Sequence, residues 1–118
     1  MTASVNNFEI PADDMARAKS FYANVFGWSM EDWDAENTMI NPTGEDGIGG
    51  DIHQRSEVPH PTVVVSVDDV EASMKTVLEQ GGEAIGGVEL LGDMGRYCYF
   101  RDTEGNVIGL FDKVGASS

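Results

Sequence analysis

The sequence predicts an α+β chain built from two βαβββ modules, and three observations carry that prediction. A unit of short strand, acidic cap, helical apolar stripe and glycine occurs twice in the same order. The Asp13-Asp14 and Asp68-Asp69 pairs stand 55 residues apart, and Gly27 and Gly82 share that offset. After each copy, the remaining residues read as about three further strands. Few residues are identical between the halves, so matching order of elements, more than sequence similarity, points to the repeat. At 118 residues the chain has the size of one domain, 1–118, able to bury roughly 65% of its extended surface.

The first module spans about residues 5–53. Val5 to Ile10 is an extended run that Pro11 is expected to close. Asp13 or Asp14 then supplies a carboxylate for the orphan N–H groups of a helix start. Met15, Ala18, Tyr22, Val25 and Phe26 recur at helical spacing, and Gly27 suits a left-handed terminator. Trp28 to Trp33, Asn37 to Asn41 and Ile48 to His53 are the strand segments, with Pro42, Gly44 and Asp46-Gly47 as turn residues. Residues 54–60 are polar and contain a proline, which marks them as the linker.

The second module spans about residues 61–113. Val63 to Val67 is β-branched, Asp68 and Asp69 stand at the cap, and Val70, Ser73, Met74, Val77 and Leu78 form the helical stripe. Glu83 to Ile85 and Val88 to Leu91 read as separate short strands, followed by Tyr97 to Phe100 and Val107 to Phe111. Asp102-Thr-Glu-Gly-Asn106 joins the last two as a hairpin loop. The tail Gly115 to Ser118 is expected to fray.

Composition narrows the partners. Seven lysines and arginines face 21 aspartates and glutamates, a net charge of -14. No cluster of cations exists to neutralise phosphates, which argues against nucleic acid and against an anionic membrane. A cationic ligand suits this field, although a solvated acidic surface accounts for the charge equally well. Cys98 is the only cysteine, so neither an internal disulfide nor a Cys-Cys zinc knuckle is available. The start, Met1 to Asn7, shows no basic and apolar leader, and the apolar run at Val63 to Val65 is far short of a span, so the expected location is cytoplasmic.

Four phrases carry a family resemblance: Phe8 to Tyr22, Val25-Phe-Gly-Trp28, Val63 to Val70, and Phe100-Arg-Asp-Thr-Glu-Gly-Asn-Val-Ile-Gly-Leu110. In this order and spacing they cover most of the chain, which resembles the vicinal oxygen chelate superfamily of glyoxalase I, bleomycin-resistance proteins and extradiol dioxygenases. The resemblance implies curled mixed sheets around a cleft that holds the ligand, often completed by a second subunit, hence a homodimer. It also implies, in metal-dependent members, four side-chain ligands, one from the first and one from the last strand of each module.

Carried onto this chain, those four positions fall on Asn7, Thr62, Gly49 or Gly50, and Gly109. Glycine has no side-chain donor, threonine is a poor ligand, and Asn7 offers one weak amide oxygen. The expectation is no metal and no cofactor. His53 and His60 flank the linker, and either could meet Asp51 or Glu57 in space, but neither His-x-x-x-His nor His-Glu-x-x-His spacing occurs. Gly47-Ile-Gly-Gly50 lacks the Lys-Ser/Thr of a phosphate loop and reads as turn and close-packing glycines. Cys98, between Tyr97 and Tyr99, reads as a packing residue.

Period-two alternation puts Asn7 and Glu9 on one face of the first strand. If that face looks into the cleft, Glu9 is a candidate general base or ligand anchor; pairing with Arg96 or Arg101 is the structural alternative. Trp33, Met39, Thr62, Tyr97 and Phe111 complete the expected ligand-binding set. The expected function is small-molecule binding without transformation, as in the bleomycin-resistance branch. The alternatives are a metal-independent enzyme with Glu9 as base and a metal-dependent lyase, isomerase or dioxygenase.

Overall fold

In the computed structural model, residues 3–115 are described, and the expected fraying of residues 116–118 lies outside them. The chain forms two compact units, residues 7–62 and residues 63–115 joined by 3–6. Each carries one helix and a four-stranded mixed sheet, the βαβββ order that the repeat predicts. Among the described residues no helix is long and apolar enough to cross a membrane.

The first unit contains β1 (Ser4–Ala12) from Asn7 onward, α1 (Met15–Phe26), β2 (Met30–Asp34), β3 (Asn37–Ile40) and β4 (Gly49–Gln54), with strand order β2-β3-β4-β1. β1 and β4 are parallel, with Asn7 opposite Gly49, Glu9 opposite Asp51 and Pro11 opposite His53. Contrary to expectation, β1 runs through Pro11 to Ala12, whose carbonyl accepts from the Arg55 N–H at 2.9 Å. Proline fixes φ near about −65°, a value that extended backbone accommodates far better than a helix interior does.

Of the two candidate caps, Asp14 is the one used, accepting the Arg17 N–H at 3.0 Å. Asp13 instead holds the Arg55 guanidinium at 2.8 Å. Gly27, with φ 71°, ends α1, as only a residue without Cβ does at little cost. Ile52, Ile40 and Ala12 form a buried cluster beneath Met15, Ala18, Tyr22 and Trp28, with Phe8 and Ile10 completing it. Gly50 belongs to this face: a Cβ there meets the Phe8 ring at 2.6 Å, so the missing side chain is the space the ring occupies. Residues 54–60 are held as well. Arg55 donates to the Pro59 carbonyl, and Val58 is buried.

The second unit contains β5 (Thr62–Ser66), α2 (Val70–Glu79), β6 (Glu83–Leu90), β7 (Arg96–Arg101) and β8 (Val107–Asp112), in the order β5-β8-β7-β6 with β5 and β8 parallel. β6 is one strand where two were expected, because the Gly86-Gly87 pair makes an irregularity between Ile85 and Glu89 and pairing resumes beyond it. The Asp102 loop joins β7 and β8 as predicted, its carboxylate accepting the Glu104 and Asn106 N–H groups at 2.8 and 2.9 Å.

Asp69 caps α2 by accepting from Glu71 and Ala72, while the Val70 N–H goes to a second carboxylate, that of Asp112, at 2.7 Å. Asp112 is fully buried and also receives Arg96 through Nη2 at 2.7 Å and Nε at 3.2 Å. Arg96 extends the cluster to Glu71 at 2.6 Å and Asp69 at 3.3 Å. Burial alone raises a carboxyl pKa, but the Arg96 hydrogen bonds and the Val70 and Val114 N–H groups outweigh it and hold Asp112 below the ordinary range.

Two predictions follow from this packing. Asp112→Asn costs about 3 kcal/mol at neutral pH, since it breaks a buried charge pair and weakens a helix start. The folded pKa of Asp112 is the lower one, so its contribution is complete above the unfolded value of about 4 and fades as pH falls through the folded value. Urea unfolding of both proteins at pH 7 and pH 3 therefore shows a gap that narrows in acid; a constant gap contradicts the assignment. Gly50→Ala costs about 1–3 kcal/mol by overpacking against Phe8, measured by the same titration.

Candidate functional site

Because successive strand side chains alternate, the packing of Phe8, Ile10 and Ala12 against α1 sends Asn7, Glu9 and Pro11 to the other face. Parallel pairing with β4 sorts its residues the same way: Gly50 and Ile52 lie toward the helix, and Gly49, Asp51 and His53 lie away from it. On this second face β3 places Met39 opposite Asp51 and Asn37 opposite His53.

Glu9, Asp51 and His53 converge there. Glu9 is 8% exposed, and the side chains of Asp51 and His53 are 15% and 11% exposed. One donor atom from each lies within 4.8 Å of the other two. His53 Nδ1 stands 3.0 Å from Asp51 Oδ1. Burial disfavours the imidazolium, yet the Asp51 hydrogen bond, the Asp51 charge and the Glu9 charge together raise the His53 pKa above its ordinary value; Arg55 opposes them weakly. Two carboxylates and an imidazole in a largely dry site can bind a cation, hold a ligand N–H, or pass a proton.

The expected site residues divide between the units. Asn7 lies one pleat from Glu9, its amide only 3.4 Å from the Phe8 carbonyl, and Met39 borders Asp51. Trp33 sits at the β2 irregularity between Asp32 and Asp34 and is half exposed. Tyr97 and Phe111 are direct partners across β7 and β8, in the second unit. Thr62 is buried at the start of β5, whereas Gly109 lies opposite Val64. Asn7 and Gly49 thus match as one pair of family metal positions, but Thr62 and Gly109 are offset by two residues. Both glycines are closely packed: a Cβ at 49 meets the Ile40 carbonyl at 3.1 Å, and one at 109 meets Val64 at 3.0 Å and Tyr99 at 3.1 Å, so a side chain at either needs its neighbours to give. The donors present at those four positions do not fit the family's metal.

Asp51 and His53 are the members of this cluster absent from the expected ligand-binding set. Their signal is the period-two spacing Asp-x-His on the strand paired with β1, legible only once that register is known. Arg96 engages Asp112, Glu71 and Asp69, and Arg101 lies 3.5 Å from Glu83. His60 Nδ1 lies 3.1 Å from the Pro61 carbonyl. Cys98 packs with Val70 and Leu110; burial, then the Asp112 charge, push its thiol up to about 11, which suits a packing residue.

Comparison with known proteins agrees with this architecture. Residues 4–110 match the profile of the Glyoxalase/Bleomycin resistance protein/Dioxygenase superfamily. A glyoxylase-like domain-containing protein of Didymella fabae is 28% identical over 121 residues, covering 94% of each chain. The Mn(II)-bound glyoxalase of Novosphingobium aromaticivorans superposes with a TM-score of 0.68 at 20% identity, over 98% of this chain and 41% of that one. Methylmalonyl-CoA epimerase of Mycobacterium tuberculosis gives 0.65 at 15% identity, over 98% of this chain and 89% of its own. This chain spans less than half of the Novosphingobium protein, and both solved structures share its fold at low identity. With its doubled βαβββ units and a profile match over nearly its whole length, the chain belongs to the glyoxalase/bleomycin-resistance/dioxygenase superfamily.

Proposed function

We propose that this chain binds a small cationic or hydrogen-donating ligand on the face of its first sheet turned away from α1. The observation that carries the reading is Glu9, a buried carboxylate with Asp51 opposite and His53 beside it. Two carboxylates facing one imidazole make this face negative, which attracts positive charge. Proton transfer by a lyase, isomerase or epimerase, with Glu9 as general base, is the second reading. The Asp51–His53 hydrogen bond favours it, since a carboxylate that orients an imidazole is a common proton-handling pair. The names of related proteins, glyoxalase and epimerase, lie in the same direction.

A homodimer is part of this proposal. In the second unit β6 is an edge strand, exposed along nearly its whole length, with Leu90 76% and Val88 40% accessible. An apolar edge of this kind is what a second copy covers.

Two measurements check the proposal. A thermal-shift screen of small amines and other cations yields a ligand whose affinity falls by about 2–5 kcal/mol in Glu9→Gln, the cost of removing one partner of a buried charged contact. Unchanged affinity in a folded variant rejects Glu9 as the anchor. Light scattering at micromolar concentration reads twice the 12.7 kDa chain mass, and a monomer across that range rejects the dimer.

A further inference from the structure

We infer that the first unit carries a second binding site, for a small aromatic carboxylate, in the hollow between the start of α1 and the end of β1. The inference goes beyond the reading of the Glu9 face. None of Glu9, Asp51 and His53 lines this hollow, and its ligand has the opposite charge.

The hollow encloses about 310 Å³, at the small end of the ligand-pocket range of about 300–1,000 Å³. Ile10, Pro11 and Ala12 of β1 line it together with Ala18, which adds only a methyl group one turn before Tyr22. Phe21 and Tyr22 are its aromatic walls, their ring centroids 5.2 Å apart and their planes nearly perpendicular at 89°. Tyr22 is held by its stack on Trp28, at 5.6 Å and 9°. Phe21 is 58% exposed. Two rings at right angles make a corner in which a third ring meets one by its face and the other by its edge, the two arrangements that aromatic pairs favour.

Charge selects the ligand. Asp13, Asp14, Arg17 and Arg55 are the charged residues of the lining. Arg55 Nε donates to Asp13 at 2.8 Å, and its Nη1 donates to the Pro59 carbonyl. Asp14 accepts the Arg17 amide at 3.0 Å as the helix cap. The Arg17 guanidinium alone of the four side chains has no hydrogen bond or ion pair among the described residues, in a chain where 21 carboxylates face seven lysines and arginines. Arg17 and Phe21 stand one turn apart on the same side of α1. A ligand that lays its ring against Phe21 therefore presents a carboxylate to a planar fork of N–H donors, the geometry that binds carboxylates bidentately. An ammonium in the same place faces two guanidinium groups and carboxylates that already hold partners.

The full chain is titrated with phenylacetate, phenethylamine and phenethyl alcohol, which share one ring and differ in charge, and binding is followed by backbone amide shifts in NMR spectra. Phenylacetate binds saturably with a Kd of about 1 mM or tighter, while the amine and the alcohol bind about tenfold more weakly or not at all. The largest shifts fall on Ala12, Ala18 and Phe21. Arg17→Gln and Phe21→Ala each weaken phenylacetate about tenfold; both positions are exposed, so the variants fold. Lys75→Gln, which removes an equal charge from the exposed side of α2, leaves the affinity unchanged and so separates the Arg17 contact from the general field. No saturable binding, phenethylamine binding as tightly as phenylacetate, affinity indifferent to Arg17→Gln, or shifts centred on Asp51 and His53 overturns the inference. The reading of the Glu9 face is tested by cations and by its own variant, and the two can fail separately.

Discussion

The parallel pairing of β1 with β4 is the constraint on which the rest of the first unit depends. Setting Glu9 opposite Asp51 also sets Phe8 opposite Gly50 and Ile10 opposite Ile52. A slip of one residue moves every side chain of one strand to the wrong face, placing an isoleucine among carboxylates and Glu9 under the helix. Gly50 leaves the Phe8 ring its place in this register, since a Cβ there meets the ring at 2.6 Å. The aromatic group around Trp28, which stacks on Tyr22 at 5.6 Å and meets Phe8 at 5.5 Å, fastens the same face to α1. Apolar packing on one side thereby fixes the polar convergence on the other.

The two units share a skeleton and differ in chemistry. The stations held by Glu9, Asp51 and His53 in the first unit correspond, by strand register, to Val64, Gly109 and Phe111 in the second. Where the first presents two carboxylates and an imidazole, the second presents apolar atoms with Tyr97 and Tyr99 alongside. The second unit places its principal ionic cluster elsewhere, at Asp112 and Arg96, where it secures α2. One hydrogen-bonded frame thus carries two different linings.

Much of the frame was legible because its signals are local. Helical spacing from Met15 to Phe26, the Asp14 and Asp69 caps, Gly27 and the Asp102 loop all depend on neighbours within a few residues. The face bearing Asn7 and Glu9 was legible too, from alternation alone. A meeting of His53 with Asp51 was raised by the sequence, but not their convergence on Glu9, because that depends on pairing between strands some 40 residues apart. The mismatch of Thr62 with Gly109 has a related cause. First strands repeat after 55 residues, but the paired last-strand stations Asp51 and Gly109 stand 58 apart, so a single offset cannot locate both.

The bond from the Val70 N–H to Asp112 bears on how the chain acquires its shape during synthesis. The start of α1 is served by Asp14, one residue ahead, so that helix carries its own closure as it emerges. The start of α2 draws on a carboxylate 42 residues later, and Arg96 is neutralised chiefly by that same group. Until β8 is made, the second helix has an open amide and its arginine lacks its buried partner, and β5 and β7 have no strand between them. Completion of the second unit is thereby deferred to the synthesis of β8, and a ribosome that stops short of residue 112 releases a half that has not closed.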